Sequence, residues 1–237
     1  MYFGNGIYYG MDSTYILVLI AAVLAIVASA KVKSTFNKYS KVRSVSGLTG
    51  AEAARKVLQY SEVFDVSVEH VAGDLTDHYD PKTKVLRLSD ATYGSDSVAA
   101  IGVAAHECGH AIQHAENYAP LKIRGAFVPV ANLGSRMAWP IIILGIILGG
   151  SQSLINIGIW LFVLVVLFQL ITLPVEFNAS KRAVKLLGSY GILRGDELSQ
   201  TKKVLSAAAL TYVASAAGGV LQLLRLVLLF GGGRNRD

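Results

Sequence analysis

Ser13 to Ala30 (STYILVLIAAVLAIVASA) is an uncharged, almost wholly apolar run of about 18 residues, the length at which a helix crosses the hydrocarbon of a bilayer. A water-soluble fold has no means of covering such a run on all sides, so the segment commits the chain to a membrane. Its ending, Ala28-Ser29-Ala30, resembles a signal-peptidase site, but residues 1–12 contain no Lys or Arg, whereas a secretory signal opens on a positive segment. The positive charges instead follow the run, as Lys31, Lys33, Lys38, Lys41 and Arg43. By the positive-inside rule, 13–30 is a retained first transmembrane helix with its N-terminus outside and the following chain in the cytoplasm.

Two further apolar stretches, Ala138 to Gly149 and Ile155 to Leu173, flank the uncharged turn Gly149-Gly150-Ser151-Gln152-Ser153. They predict a transmembrane helical hairpin over 138–173, its first arm extended by Val128 to Leu133 if Arg136 is sheltered or snorkels. Pro174 is expected to end the second arm. A cytoplasmic helix then occupies 174–203 with Glu176, Lys181, Arg182 and Lys185, and an Ala- and Gly-rich apolar helix, spanning or membrane-associated, occupies 204–230 around Arg225. The composition agrees: 53% of residues are hydrophobic and 16% charged, far from a soluble average. The net charge of +6 is explained by basic loops facing anionic lipid. No basic stripe with interleaved aromatic residues is present, so nucleic acid is not an expected partner. The single cysteine, Cys108, excludes an intramolecular disulfide.

Residues 32–136 read as a cytoplasmic domain of α+β type. Thr49-Gly50-Ala51-Glu52 has the capping-box pattern ahead of a helix near 50–60. Val66 to Val68 and Val85 to Ser89 read as strands, with Asp80-Pro81 marking a turn before the second. The second strand is a candidate sheet edge for pairing with an extended peptide. A long helix over about 96–117 starts at the N-cap candidates Ser95 and Asp96.

That helix carries His106-Glu107-Cys108-Gly109-His110, an HExxH pattern. Residues four apart lie on one helix face, so both imidazoles reach a single Zn²⁺ while Glu107 addresses the attacking water. A Lewis acid and a proton-accepting carboxylate are the minimum apparatus for peptide hydrolysis. The flanks are apolar and the two middle positions small, which sets the segment apart from a chance occurrence. Catalytic zinc takes three protein ligands. His114 lies eight residues beyond His106, about 12 Å along a continuous helix, and cannot close on the same ion. Glu176, emerging at the membrane surface, is the best third ligand, ahead of Glu116, Asp90 and Glu197. His78, Tyr79 and Tyr212 are candidates for substrate contact or for donors to a developing oxyanion. Cys108, two residues past His106, points away from the metal and reads as a packing residue.

His106-Glu107-Cys108-Gly109-His110 followed by Glu176-Phe177-Asn178-Ala179-Ser180 resembles the gluzincin arrangement of HtpX-type membrane proteases and CAAX prenyl endopeptidases. More closely, Gly73 to Pro81 (GDLTDHYDP), Ala105 to His114 (AHECGHAIQH) and Leu173 to Ser180 (LPVEFNAS) are similar to the YugP-like bacterial membrane zinc metallopeptidases, over nearly the whole chain. The resemblance implies one zinc ion, Glu176 as third ligand and a site facing the cytoplasm. In the HtpX-type pattern an Asp stands four residues after the ligand Glu; here that place is Ser180, so an outer carboxylate for a ligating histidine is absent there.

The expectation is an α-helical integral membrane protein with a small α+β gluzincin-like metallopeptidase domain, cleaving membrane or unfolded protein substrates as an endopeptidase. Two rivals carry other consequences. An intramembrane site-2-type protease would place HExxH inside a span, against the polarity of Asp96, Glu107, Glu116 and three histidines on this helix. A zinc-binding scaffold or sensor would have no need of Glu107. The sequence leaves the oligomeric state open.

Overall fold

The computed structural model describes residues 12–231. Four of its helices are long and apolar enough to cross a membrane: α1 (Tyr15–Tyr39), α5 (Ala119–Ile147), α6 (Gln152–Ser189) and α7 (Asp196–Phe230). Their apolar faces are mostly turned outward, Ile16, Leu19, Val23, Ile26 and Val27 of α1 among them, as lipid rather than protein requires. The chain is thus an α-helical membrane protein with a small α+β unit inserted between α1 and α5.

The helices run past the boundaries read from the sequence. Helix α1 continues beyond Ala30 through Lys31, Lys33 and Lys38. Helix α5 begins at Ala119, not near 138, and contains Pro129 and Pro140, so 119–136 is part of this long helix. Pro174 does not end the second arm, since α6 passes through it to Ser189. Proline removes one donor to the preceding turn, but fully breaking a helix at the edge of hydrocarbon would orphan several backbone groups, which costs more. The expected helix over 174–203 is instead interrupted at Gly191 and Gly195, both at positive φ, and α7 is one continuous helix from Asp196. Gly149 and Gly150, at φ 77° and 82°, turn α5 into α6. The two arms meet closely: a Cβ at Gly158 would stand 2.9 Å from the Ala138 carbonyl oxygen, and one at Gly134 would stand 2.7 Å from that of Leu161.

The α+β unit is built on α2 (Gly50–Tyr60), whose Thr49 and Glu52 form the capping box. Its three strands, β1 (Ser67–His70), β2 (His78–Asp80) and β3 (Val85–Leu88), form a sheet in the order β1-β3-β2, with β1 parallel and β2 antiparallel to β3. The strand at 85–88 is therefore central rather than an edge; the edge towards the HExxH helix is β2, a segment that reads as a turn in sequence. After the short α3 (Asp90–Tyr93) comes α4 (Val98–Ala115), capped by the Ser97 hydroxyl, which accepts from the Ala100 N–H. One buried core joins Val57 and Leu58 of α2, Leu86 and Leu88 of β3 and Ile101, Ala105 and Cys108 of α4 to Ala183 and Leu187 of α6 and Leu205 of α7. The long helices thereby hold the α+β unit at their polar ends.

Candidate active site

The site forms where α4 crosses α6. Gly109 permits the approach: a Cβ there would lie 2.7 Å from the Ala179 carbonyl oxygen and 3.0 Å from the Ala179 Cα. The close crossing sets the α4 imidazoles against Glu176, which is 2% exposed. The Nε2 atoms of His106 and His110 lie 3.3 Å and 3.4 Å from Glu176 Oε2. That oxygen is buried and has no aligned hydrogen bond despite these approaches. Tetrahedral donors about 2.1 Å from a common ion stand about 3.4 Å apart, which the two His–Glu separations match, and all three ligand atoms lie within 4.8 Å of one another, a donor set whose chemistry suits zinc.

The outer contacts hold this arrangement. Ser180 Oγ, at the position where the HtpX-type pattern has an Asp, lies 3.1 Å from His106 Nδ1. Gln113 Oε1 lies 3.1 Å from His110 Nδ1, while its Nε2 donates to the Val175 carbonyl and to Asn178 Oδ1, each at 2.9 Å. A tautomer with Nδ1–H donating to Ser180 Oγ and Gln113 Oε1 would leave both Nε2 lone pairs facing Glu176, free for a cation. Gln113 is fully buried and ties His110 directly to the turn of α6 that carries Glu176. From α5, Arg124 Nη1 approaches Glu176 Oε1 at 3.5 Å. Burial disfavours a charged His110, but Glu176 beside it and the Glu107 charge outweigh burial, and the ring holds its proton above the ordinary imidazole value.

Glu107 is nearly buried and borders two cavities. The larger, of about 560 Å³, is lined by Glu107, His110, Glu176, Arg124, His78 and Tyr212. A smaller one of about 190 Å³, bordered by His106, Ser180, Val103 and Phe36, shares Asp77, Glu107 and Tyr212 with it. The weaker ligand candidates are engaged elsewhere: Glu116 pairs with Arg182, Asp90 with His70 and the Gly73 N–H, and Glu197 accepts from the Val45 and Arg194 N–H groups. His114 hydrogen-bonds the Tyr79 hydroxyl through Nδ1 at 2.8 Å. Tyr79 therefore lines the cavity with its hydroxyl already bonded, and burial pushes that hydroxyl up to about 12, with Asp65 and Asp80 adding to it. His78 is exposed and bonded to the Thr76 carbonyl through Nδ1. Cys108 is buried with its thiol against the Ala54 carbonyl, and burial raises its ionisation well above the ordinary thiol value.

Three contributors were not singled out from the sequence: Gln113, Ser180 as a histidine partner, and Arg124. The first two sit one turn from a candidate ligand on its own helix, three residues after His110 and four after Glu176, a spacing that could have flagged them. Arg124 is a cation near the start of an apolar helix, itself a functional signal in membrane proteins.

Comparison with known proteins agrees with this chemistry. The family described as "Putative neutral zinc metallopeptidase" matches residues 14–231. The chain is similar to "Putative membrane protease YugP" of Bacillus subtilis (strain 168), at 52% identity over 224 residues covering 94% of this chain and 99% of that protein. No solved structure matches it.

Proposed function

The chain belongs to this family of neutral zinc metallopeptidases, and from that premise we propose that it is a membrane-bound endopeptidase that hydrolyses peptide bonds at the α4–α6 crossing. The observation that carries the reading is the convergence of His106 Nε2, His110 Nε2 and Glu176 Oε2 beside a cavity that Glu107 borders. Zinc held by those three residues would polarise the scissile carbonyl and lower the pKa of water towards neutrality.

Glu107 takes the proton of the attacking water on its carboxylate and returns it to the departing amine nitrogen. Tyr212 and His78, which share the cavity with Glu107, are donors available to the oxygen that becomes negative as the carbonyl is attacked. An extended substrate segment pairs with the outer edge of β2, at His78 to Asp80, which fixes its main chain across the site. Gln113 and Ser180 act through the histidines they orient. In helix α6, Gln152 to Glu176 covers about 36 Å, slightly more than the thickness of bilayer hydrocarbon, so the site stands close to the membrane surface. That position suits membrane proteins or unfolded segments as substrates, and the basic residues following α1's apolar run support a site on the cytoplasmic side.

The test is casein cleavage by detergent-purified protein. Wild type cleaves and is silenced by a chelator. Glu107→Gln is inactive while retaining metal. If Glu107→Gln cleaves at the wild-type rate, Glu107 is not the base and the catalytic reading fails; if wild type holds zinc and does not cleave, a zinc-binding scaffold takes its place.

A further inference from the structure

Outside the site, α1 and α7 pack along each other and enclose a cavity of about 740 Å³ at their polar ends. Lys31 and Lys38 reach it from α1, with Ser34 between them on the same face. Lys202 and Lys203 reach it from α7, with Ser206 one turn further on. No Asp or Glu lines the cavity, and among the described residues none of the four lysines makes an ion pair. The apolar run of α1 ends at Ala30 and that of α7 begins at Val204, so the lysine cluster lies at the level where hydrocarbon gives way to water. Further along α7 the wall turns apolar with Ala207 and Leu210, and one turn before Lys31 the α1 helix exposes the apolar Ile26 and Val27.

Four exposed lysines from two helices line one cleft that also offers hydroxyl donors and no carboxylate. That chemistry recognises a phosphate group, and the apolar wall beneath accommodates acyl chains. We propose that this cleft is a binding site for the phosphodiester headgroup of an anionic glycerophospholipid, with Lys31, Lys38, Lys202 and Lys203 holding the phosphate.

The test uses the full chain in nanodiscs of phosphatidylcholine alone or with phosphatidylglycerol, reading the thermal midpoint. Phosphatidylglycerol is expected to raise it by about 5 °C in wild type. The rise is expected to vanish in the combined variant Lys31→Gln, Lys38→Gln, Lys202→Gln, Lys203→Gln. It should persist in Lys33→Gln, Lys41→Gln, which removes charge from the same region outside the cleft. Single variants Lys31→Gln and Lys202→Gln, each expected to reduce the rise, supply the readout if the combined variant does not fold. A parallel titration with inorganic phosphate in neutral detergent separates the sources: no response there assigns the site to lipid, whereas a lysine-dependent rise with phosphate and none with phosphatidylglycerol replaces lipid by the free anion and overturns the assignment. An absent rise in both media, or one lost equally in the Lys33/Lys41 variant, also overturns it.

Discussion

Replacing Gly109 by Ala puts the packing account of the site under direct strain. In open space Gly→Ala inside a helix stabilises by about 1 kcal/mol, because the unfolded chain loses freedom. At Gly109 the added methyl meets the Ala179 carbonyl oxygen at 2.7 Å and the Ala179 Cα at 3.0 Å. Both are backbone atoms and cannot swing aside, so α4 and α6 must separate by roughly half an ångström or more to restore ordinary contact. Overpacking of this kind costs about 1–3 kcal/mol, so the net loss of stability is about 0–2 kcal/mol, a fall in Tm of no more than about 8 °C. The effect on metal is larger in proportion. Ala179 lies between Glu176 and Ser180, and a ligand set tolerates only about 0.2 Å of displacement. Zinc affinity, measured by competition with a chromogenic chelator, is therefore expected to fall by at least about tenfold. Gly125→Ala is the control. Its Cβ would meet nothing within 4 Å, so it should raise stability by up to about 1 kcal/mol and leave zinc affinity unchanged. Wild-type zinc affinity in Gly109→Ala would refute the argument that the close crossing sets the ligand geometry.

Gln113→Leu removes the His110 partner and the Gln113 donor to the Val175 carbonyl, leaving Asn178 Oδ1 with Arg182 alone, so zinc affinity is expected to drop about 10–100-fold and stability by about 1–3 kcal/mol. Ser180→Ala frees only the His106 Nδ1 contact and is expected to weaken zinc binding with little change in Tm. Arg124→Ala is expected to keep its zinc but lower kcat/KM about tenfold or more, since Arg124 borders the cavity without supplying a ligand atom. Because His110 holds its proton above the ordinary imidazole value and must release it to ligate, zinc affinity is expected to fall as pH is lowered through that raised value, and isothermal titration should show proton release on binding. A pH-independent affinity between pH 6 and 8 would contradict this sign, the interval being chosen around an ordinary imidazole pKa of about 6.5.

The apolar runs and the HExxH helix are legible in sequence because each depends on local spacing: the first on the thickness of a bilayer, the second on residues four apart. Glu176 was reachable because it follows the last apolar residues of a span. What escaped depends on pairing between distant segments. His78 to Asp80 looks like a turn, being short, polar and followed by Pro81, and becomes a strand only because β3 lies beside it. β3 looks like an edge until β1 and β2 occupy both its sides. The helix ends were misplaced at Pro174 and around Pro129 because proline is a terminator in water, where freed backbone groups find solvent, and a weaker one where they do not. The partnership of Arg124 with Glu176 crosses from α5 to α6, and no periodicity reports it.

The most direct test of the central claim is the zinc content of detergent-purified protein, wild type against Glu176→Ala. The account predicts about one zinc per wild-type chain and its loss in the variant, since two imidazoles alone make an incomplete site. Glu176→Ala that keeps its zinc would show that the third ligand lies elsewhere, and a wild-type protein that binds none would contradict the metal site altogether.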